Sequence, residues 1–371
     1  MMDETVHIPF MRKALELASR GGRDVDPNPQ VGCVIVRDGK IIGRGWHRKF
    51  GGPHAEVEAL RNSAGAARGA TMYVTLEPCN HAGKTPPCTD AIIASGIRAV
   101  VVAMKDPNPH VAGNGSTRLR QAGIDCITGV MEREALALNE KFIIRVTKDR
   151  PFVRLKVAQT LDGFIAPLRG PSRWFTSEES RARVHAMRAD ADGVLVGSET
   201  VRKDNPSLSV RAVTGNNPRR IILTSSWELP MKSAVFADPE AHRTIIVTSK
   251  RAANRHRAIV DTFRAKGITV IEATNDVRER AYLPVVLKRL LQEGIHGLLV
   301  EGGAGVFSAF LDQRFVDRID VFLAPKIIGG GLGAFSAIKA LSLGDARNFA
   351  VENSVASGED TQITFRPLQE E

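Results

Sequence analysis

Apolar and polar positions along the first part of the chain follow two periodicities, one typical of helices and one typical of strands. Met11 to Ser19 has apolar residues at helical spacing, and the run Val31 to Val36 is typical of a buried strand. That run and Lys40 to Gly45 flank Asp38-Gly39, a dipeptide that favours the positive backbone angles of a tight hairpin turn. A helix is expected from about His54 to Arg61, with further strands and helices after it. The alternation predicts an α/β layered domain with a largely parallel sheet.

A second α/β series follows a break in this pattern. The break is the short, polar, proline-terminated segment from Thr147 to Pro151. A chain of 371 residues is also longer than one hydrophobic core usually supports. We therefore predict two domains, residues 1–148 and 149–371. Strands of the second domain are expected at Phe152–Ala158, Gly193–Val196, Arg220–Leu223, Thr244–Val247, Thr269–Ile271, Gly297–Val300 and Arg318–Leu323.

The composition is that of an ordinary globular protein, with 43% hydrophobic and 25% charged residues. No apolar run approaches the roughly 18 residues that a membrane-spanning helix needs. The beginning of the chain carries an acidic pair, Asp3 and Glu4, and lacks the basic-then-apolar order of a secretory signal. We therefore expect a cytoplasmic protein that does not enter a membrane.

The formal net charge of +10 suggests an anionic ligand or partner. The Lys and Arg residues are spread along the chain without a long basic block, which disfavours a nucleic-acid partner. A phosphorylated small substrate together with a phosphorylated cofactor would account for the same charge.

Four cysteines in a chain of this length, without an export signal, argue against a disulfide framework and leave metal binding or burial. Cys33 lies in the apolar run Val31 to Val36, and Cys126 lies between Ile124 and Ile127. Both are most simply small buried side chains. The other two, Cys79 and Cys88, are candidate metal ligands.

A candidate zinc site combines His54, Cys79 and Cys88 with the nearby carboxylate of Glu56. Zinc favours imidazole nitrogen and thiolate sulfur, and a catalytic zinc keeps its fourth position for water. Bound zinc lowers the pKa of that water to about 7. Glu56, at the start of the predicted helix, can then carry protons from the water to a ring nitrogen and to departing ammonia. Cys88 is expected at a helix N-terminus, whose dipole favours a deprotonated sulfur.

Each of these residues alone has a plainer interpretation, a solvated histidine or a buried cysteine. Together, H-x-E followed by P-C and a further cysteine resemble the zinc nucleobase deaminases. Most members of that superfamily have two residues between the cysteines, whereas eight residues separate Cys79 and Cys88. A structural zinc in a nucleic-acid-binding protein would need four protein ligands and would have no use for Glu56.

The segment from Pro78 to Cys88 resembles the bifunctional riboflavin-biosynthesis deaminase/reductase family. The resemblance includes Asp26-Pro27-Asn28-Pro29, Val31-Gly32, Asp106-Pro107-Asn108-Pro109 and Val111-Ala112-Gly113, and it extends over nearly the whole chain. It implies an N-terminal cytidine-deaminase-like three-layer α/β/α domain and a C-terminal dihydrofolate-reductase-like α/β domain.

The same resemblance implies two reactions. The first removes the ring amino group of a diaminohydroxypyrimidine that carries a ribosylamino 5-phosphate, and the second reduces the ribose to ribityl with NADPH. The family's contacts to the pyrimidine and the ribose phosphate in the deaminase site correspond here to Asn28, His47, His81 and Lys84. The lysine and the histidines suit a phosphate as cations or hydrogen-bond donors.

The second half has no metal-ligand cluster and no convincing serine or cysteine triad, so its chemistry should come from a cofactor, with a nicotinamide as the natural candidate. The segment Gly329 to Ala334 fits G-x-G-x-x-A formally, but it lies too near the C-terminus for a βαβ half to follow, and we interpret it as a loop. A better phosphate cradle is Leu299 to Phe307, where a strand runs through glycines into a helix.

Three further segments resemble the reductase half of the same family: Leu155 to Gly163, Ser172 to Ser177 and Asp204 to Arg211. The resemblance implies NADPH contacts at Ala158, Trp174, Thr200, Asp204, Ser225, Gly303, Ala304, Gly305, Val306 and Phe307. It implies substrate contacts at Ser172, Arg188, Leu208, Arg211 and Glu301.

Several roles in the second half are hypotheses about chemistry. Arg188 and Arg211 suit a substrate phosphate because guanidinium pairs with phosphate oxygens in a bidentate way. Lys156 and Glu301 are candidates for proton delivery as hydride reaches the opened ribose, and Asp162 is a candidate structural anchor.

The alternative function is a nucleoside or tRNA deaminase with an appended domain. It would predict a C-x-x-C pair and a basic groove with aromatic residues, whereas aromatic residues make up only 5% of the chain. The family resemblance implies a homo-oligomer formed largely through the reductase half.

Overall fold

The computed structural model describes residues 4–82, 86–108, 113–169, 175–274, 276, 282–336, 338 and 342–368. Backbone contacts divide the chain into two units, Met1–Asp149 and Arg150–Glu371. Each unit has its own buried apolar core.

The first unit alternates strands and helices around one sheet. Its elements are α1 (Ile8–Ala18), β1 (Gly32–Arg37), β2 (Lys40–Trp46), α2 (Ala55–Asn62), β3 (Thr71–Leu76), α3 (Cys88–Ser95), β4 (Ala99–Met104), α4 (Asn114–Gln121), β5 (Asp125–Thr128), α5 (Glu132–Leu138) and α6 (Glu140–Lys148).

The sheet of the first unit has the order β2-β1-β3-β4-β5. The predicted hairpin between β1 and β2 is confirmed, and Asp38 and Gly39 at its turn have φ values of 51° and 72°. The expectation of a largely parallel sheet is wrong, because β1 pairs antiparallel with both β2 and β3 while only β3, β4 and β5 run parallel. The physical reason is the connection through α2, which carries the chain from the end of β2 back to the level where β2 began. The next strand, β3, therefore runs in the same direction as β2. Both strands lie beside β1, which runs in the opposite direction.

Glycines on β1 and β2 show how the layers of this unit form. A Cβ at Gly32 would lie 2.0 Å from the backbone oxygen of Ala14 in α1, and a Cβ at Gly45 would lie 2.2 Å from that of Ala55 in α2. Gly45 is paired with Cys33, the neighbour of Gly32, and successive residues of a strand point to opposite faces. The two helices therefore cover opposite faces of the sheet in an α/β/α arrangement, and each approaches closely because a side chain is missing.

The two cysteines assigned to burial differ in the structure. Cys33 is fully buried, as predicted, whereas Cys126 is only half-buried. Cys126 lies on β5, the edge strand of the sheet, which has only β4 as a neighbour.

The second unit contains the larger sheet. Its elements are β6 (Phe152–Thr160), β7 (Phe164–Pro167), α7 (Glu178–Asp190), β8 (Gly193–Gly197), α8 (Ser198–Asp204), β9 (Arg219–Leu223), α9 (Ala234–Ala237), β10 (Thr244–Thr248), α10 (Lys250–Arg255), α11 (Arg257–Ala265), β11 (Thr269–Glu272), α12 (Tyr282–Gln292), β12 (Gly297–Gly302), α13 (Ala304–Asp312), β13 (Arg318–Ala324), β14 (Gly331–Gly333), β15 (Phe349–Ser357) and β16 (Asp360–Pro367).

Among the described residues, the large sheet has nine strands in the order β11-β10-β9-β8-β12-β6-β13-β16-β15. The strands from β11 to β13 run parallel, and β16 and β15 add an antiparallel edge. All strands predicted for this half are present. The glycine-rich segment interpreted as a loop contains the short strand β14, which pairs with β7 in a separate ribbon. Within the described ranges, no helix has both the length and the apolar character needed to cross a membrane.

Candidate active sites

Three elements of the first unit bring the predicted zinc ligands together. His54 immediately precedes α2, Cys79 follows β3 and Cys88 is the first residue of α3. The Nδ1 atom of His54 lies 3.2 Å from the Sγ atom of Cys88 and 3.5 Å from that of Cys79. Bond lengths of about 2.1 Å to nitrogen and about 2.3 Å to sulfur place tetrahedral zinc ligands roughly 3.5 Å apart. The donor set and its spacing therefore fit a zinc ion.

Local sequence explains why these ligands stand at helix starts. Pro87 is the N-cap of α3 and Gly96 ends that helix with a φ of 70°, which a glycine adopts readily. The backbone N–H of Cys88 lies 3.4 Å from Cys79 Sγ and donates to it. In α2, acidic residues occupy the first turn, where the helix dipole favours negative charge.

The electrostatics of the cluster favour a thiolate. The hydrogen bond from the Cys88 thiol lowers the pKa of Cys79 to about 4, and a hydrogen bond from His54 acts in the same direction. The contact with Cys79 raises the pKa of His54. The cluster therefore presents the Cys79 thiolate, the His54 imidazole and the Cys88 sulfur to a soft cation.

Glu56 lies beside this cluster, in the first turn of α2, and its residue is only 3% exposed. Burial raises the pKa of its carboxyl group, and a hydrogen bond with Cys88 acts against that shift. A raised pKa makes this carboxyl group easier to protonate than an exposed glutamate, which suits a residue that must accept a proton and then release it.

The cluster opens into a cavity of about 380 Å³. Of the predicted substrate contacts, Asn28, His47 and His81 line it, whereas Lys84 lies outside the described residues. The cavity wall also contains residues to which we assigned no role: Asp106, Asn108, Phe142, Arg145 and Val146. Asp106 and Asn108 belong to a motif noted for its family resemblance, but no sequence signal connects α6 to this site.

Two hydrogen bonds determine the orientation of Asn28. The Nδ1 atom of His47 lies 3.0 Å from the backbone oxygen of Pro53, which only accepts, so Nδ1 carries the proton. The Nε2 atom is then an acceptor for the Nδ2 group of Asn28 at 3.1 Å. Burial lowers the pKa of His47, which is consistent with a neutral ring. The Asn28 oxygen is thus directed away from His47, and this arrangement suits an N–H donor of a bound molecule.

Glu77 holds the turn that carries Cys79. Its buried carboxylate accepts the backbone N–H groups of Ser116 at 2.8 Å, Gly113 at 2.9 Å and Asp106 at 3.3 Å. Burial alone would raise the pKa of Glu77, but these hydrogen bonds outweigh it and the pKa is lowered. This role of Glu77 is not visible in the sequence, because its three partners lie 29 to 39 positions further along the chain.

In the second unit, the predicted cofactor cradle is a strand-to-helix turn. β12 ends at Gly302, and Gly303 precedes α13 with a φ of +83°. A Cβ at Gly302 would lie 3.0 Å from the side chain of Val196, so this glycine is required for packing. A Cβ at Gly305 would meet nothing within 4 Å. Space is therefore left beside the first turn of α13, where free backbone N–H groups attract an anion.

The other predicted cofactor contacts lie near the carboxyl ends of neighbouring parallel strands. The strands β9, β8, β12 and β6 are adjacent in the sheet, so their ends share one edge, where ligands bind in open α/β sheets. Ala158 lies near the end of β6, Thr200 and Asp204 lie on α8 after β8, and Ser225 follows β9. Trp174 and Ser172 lie outside the described residues.

The predicted phosphate contact Arg188 has another partner. Its guanidinium forms a bidentate ion pair with Glu301, at 2.6 Å and 2.7 Å, and donates to the backbone oxygen of Ser209 at 3.1 Å. Arg211 is exposed, and its Nη1 group donates to the hydroxyl of Ser207 at 2.5 Å. Arg211 therefore has more of its donors available for a phosphate than Arg188.

The two candidates for proton delivery differ in charge. Burial alone would raise the pKa of Glu301, but the adjacent Arg188 outweighs it and the pKa is lowered, which keeps the carboxylate ionised. Burial lowers the pKa of Lys156, although Glu301 partly opposes this shift. Lys156 is therefore the better proton donor of the pair, with Glu301 as its ionised neighbour.

Leu208 and Asp162 lie in loops of the second unit that carry predicted site residues. Leu208 is buried and has a φ of 54°, a left-handed backbone conformation that a leucine rarely adopts. The Asp162 carboxylate accepts from the Thr160 hydroxyl at 2.6 Å and from the backbone N–H of Gly329 at 2.8 Å. These hydrogen bonds fit the predicted structural anchor.

The fold and the two sites define a class of enzyme in which a zinc-dependent deaminase unit precedes a nicotinamide-dependent reductase unit. Two family models match the chain accordingly. The cytidine and deoxycytidylate deaminase zinc-binding region matches residues 4–104, and the RibD C-terminal domain matches residues 151–363. The chain belongs to the RibD family, the bifunctional deaminase/reductase proteins of riboflavin biosynthesis.

Relatives over the full length support this assignment. The riboflavin biosynthesis protein RibD of Aquifex aeolicus is 46% identical over 363 residues, which cover 96% of this chain and 97% of the relative. A solved Thermotoga maritima structure, a diaminohydroxyphosphoribosylaminopyrimidine deaminase/5-amino-6-(5-phosphoribosylamino)uracil reductase, is 42% identical with a TM-score of 0.83, covering 98% and 99% of the two chains. RibD of Acinetobacter baumannii is 35% identical with a TM-score of 0.85, covering 99% and 100%.

The family assignment confirms several predictions. The chain is an enzyme with deaminase and reductase activities, zinc and NADPH are its cofactors, and the two predicted fold classes are correct. The roles of individual residues are not decided by family membership and are argued below.

Proposed function

We propose that this chain catalyses two successive reactions on one phosphorylated pyrimidine. The first unit hydrolytically deaminates 2,5-diamino-6-ribosylamino-4(3H)-pyrimidinone 5′-phosphate. The second unit reduces the ribosyl chain with NADPH and yields 5-amino-6-(5-phosphoribitylamino)uracil. The observation that carries the deaminase assignment is the buried Glu56 carboxyl group beside the cluster of His54, Cys79 and Cys88, at one cavity.

In the deaminase site, His54, Cys79 and Cys88 would hold zinc and Glu56 would carry protons. Bound zinc supplies a water molecule that ionises near neutral pH. Glu56 accepts a proton from this water and delivers it to the ring nitrogen beside the carbon under attack. Glu56 would then take the remaining proton of the same water molecule, now a hydroxyl group on the attacked carbon, and pass it to the amino group. Ammonia leaves and the Glu56 carboxylate is restored after each turnover.

The cavity walls would orient the pyrimidine. His47 holds the Asn28 amide so that its oxygen faces an N–H donor, and a diaminopyrimidine offers several such donors. His81 and Lys84 are assigned to the ribose phosphate end of the substrate, with Lys84 as a point charge.

In the reductase site, NADPH supplies the hydride, and residues of the chain would position the substrate and donate a proton. The turn from Gly303 to Phe307 would receive a cofactor phosphate, with Ala158, Trp174, Thr200, Asp204 and Ser225 as further contacts. Lys156 would donate the proton to the opened ribose. Substrate contacts would be Ser172, Arg188, Leu208, Arg211 and Glu301. Arg211 would bind the phosphate, because Arg188 already forms an ion pair with Glu301.

Three broader features belong to the same proposal. The family resemblance favours a homo-oligomer, and the role of the relatives in riboflavin biosynthesis favours the cytoplasm. The spread of basic residues favours a small phosphorylated substrate over nucleic acid.

Replacing Glu56 tests the deaminase mechanism. E56Q keeps the size of the side chain but cannot carry a proton, so we expect deaminase kcat to fall about 10²- to 10⁴-fold. Zinc content, measured by metal analysis, and NADPH oxidation with deaminated intermediate should stay unchanged. E58Q on the same helix is the matched control, because Glu58 pairs with Arg61 and does not line the cavity. Full deaminase turnover in E56Q would show that the proton-carrying role is wrong.

A further inference from the structure

Helix α6 contributes one face to the deaminase cavity. Phe142, Arg145 and Val146 all line the cavity and are spaced three and four residues apart, so they lie on the same side of the helix. Arg145 is the residue on this face that carries a permanent charge.

The guanidinium of Arg145 is partly withdrawn from water. Burial lowers its pKa, and the Asp26 carboxylate partly opposes this effect. Its Nη2 group donates to the backbone oxygen of Pro27 at 2.8 Å, and its carbon lies 5.5 Å from the centre of the Phe142 ring. In the part of the chain that the structure describes, no carboxylate lies within ion-pair distance of Arg145. A guanidinium has five N–H donors, so the bond to Pro27 leaves most of them for a bound anion.

We propose that Arg145 binds the 5-phosphate of the deaminase substrate. The inference rests on the proposed function and adds a phosphate-binding residue to the same cavity. A planar guanidinium matches two phosphate oxygens at once, and a dianionic phosphate compensates a half-buried cation better than a neutral ring does. His81, which also lines the cavity, cannot supply a permanent charge.

Two other roles for Arg145 are compatible with its position. It can tie α6 to the Pro27-Asn28 turn through the backbone oxygen of Pro27, or it can donate to the carbonyl group of the pyrimidine ring. Neither role depends on the phosphate, so a substrate that lacks the phosphate separates them from the proposal.

The test compares the phosphorylated substrate with its dephosphorylated riboside. R145Q removes the charge, and its shorter side chain ends before the position from which Nη2 donates to the Pro27 oxygen, so any effect of losing that bond applies to both substrates alike. We expect deaminase kcat/KM for the phosphorylated substrate to fall about tenfold to hundredfold, mostly through KM, because a charge-assisted hydrogen-bonded pair is lost. The value for the riboside should change less than twofold. Inhibition of riboside deamination by inorganic phosphate should weaken by a similar factor.

The control is R118Q. Arg118 lies on α4, is exposed, pairs with Asp90 and is not part of the cavity wall. It should leave both substrates and the phosphate inhibition unchanged. R145K, which keeps the charge but loses the planar donor pair, should show a smaller, still phosphate-dependent loss.

The outcomes distinguish failure of this inference from failure of the proposed function. An equal loss with both substrates, or no loss with either, overturns the phosphate role while deaminase activity itself still supports the proposed reaction. Absence of wild-type deamination would overturn the proposed function instead. If R145Q does not fold, as judged by zinc content and thermal unfolding, the comparison of the two substrates is made with R145K.

Discussion

Arg188 and Arg211 show how much a single residue's role depends on its neighbours. Both arginines were predicted to bind the substrate phosphate. The structure places a carboxylate of Glu301 against Arg188, 113 positions away in sequence, and leaves Arg211 exposed. An ion pair of this kind cannot be predicted from local pattern, because the fold alone decides which charges meet.

Gly305 offers a residue-scale test of the cofactor cradle. A methyl group there meets no protein atom, and the residue is not among those with a positive φ, so G305A should leave the free energy of unfolding unchanged within about 0.5 kcal/mol. If an NADPH phosphate approaches this turn closely, the same methyl group obstructs it. We therefore expect KM for NADPH to rise about tenfold, measured by NADPH oxidation with deaminated intermediate. An unchanged KM would remove Gly305 from the cofactor site.

At the scale of elements, the deaminase site depends on how closely α2 approaches the sheet. This helix carries both Glu56 and the preceding His54, and it packs over Gly43 and Gly45 of β2. The helix start and the strand were both predictable from sequence pattern. Their separation was not, because it follows from the absence of a side chain at two strand positions.

The prediction at this scale concerns Gly45. In G45A the new methyl group would lie 2.2 Å from the backbone oxygen of Ala55 and 2.4 Å from the backbone nitrogen of Ala59, so α2 must move. We expect the free energy of unfolding of the first unit to fall by about 3 kcal/mol, since overpacking against backbone is poorly relieved. Zinc content should fall with it. Denaturant unfolding and metal analysis provide the measurements.

The control for this prediction is R44A, which shortens an exposed side chain on the same strand and should change neither quantity. Wild-type stability together with full zinc content in G45A would contradict the close-packing argument.

At the scale of the whole molecule, the chain consists of two units with separate cores and separate chemistry. The predicted zinc ligands all belong to the first unit, and the predicted NADPH contacts that lie among the described residues all belong to the second. The deaminase reaction needs a metal, whereas hydride transfer needs only the nicotinamide and a correctly placed proton donor.

Removal of zinc tests whether the two units carry out their reactions independently. Dialysis against a chelator should abolish deamination, while NADPH oxidation with deaminated intermediate should keep at least about 80% of its rate, because the predicted zinc ligands His54, Cys79 and Cys88 all belong to the first unit. Adding zinc should restore deamination. A chelator already saturated with magnesium is the control. Parallel loss of both activities would show that the second unit depends on the metal site of the first.

The sequence pattern by itself predicted α/β layering, a division into two domains and a zinc site, and the family resemblance implied the two particular fold classes. Strands and helices follow from local periodicity, and the types of His54, Cys79, Cys88 and Glu56 limit the reaction because few side chains bind zinc or carry protons. The family resemblance added the substrate and the second cofactor.

Only the tertiary structure decided the direction of the strands beside β1, the partner of Arg188, and the presence of Arg145 at the deaminase cavity. These features share one physical reason. Each depends on contacts between segments that are distant in sequence, and such contacts are set by the packing of the whole sheet rather than by the pattern within any one element.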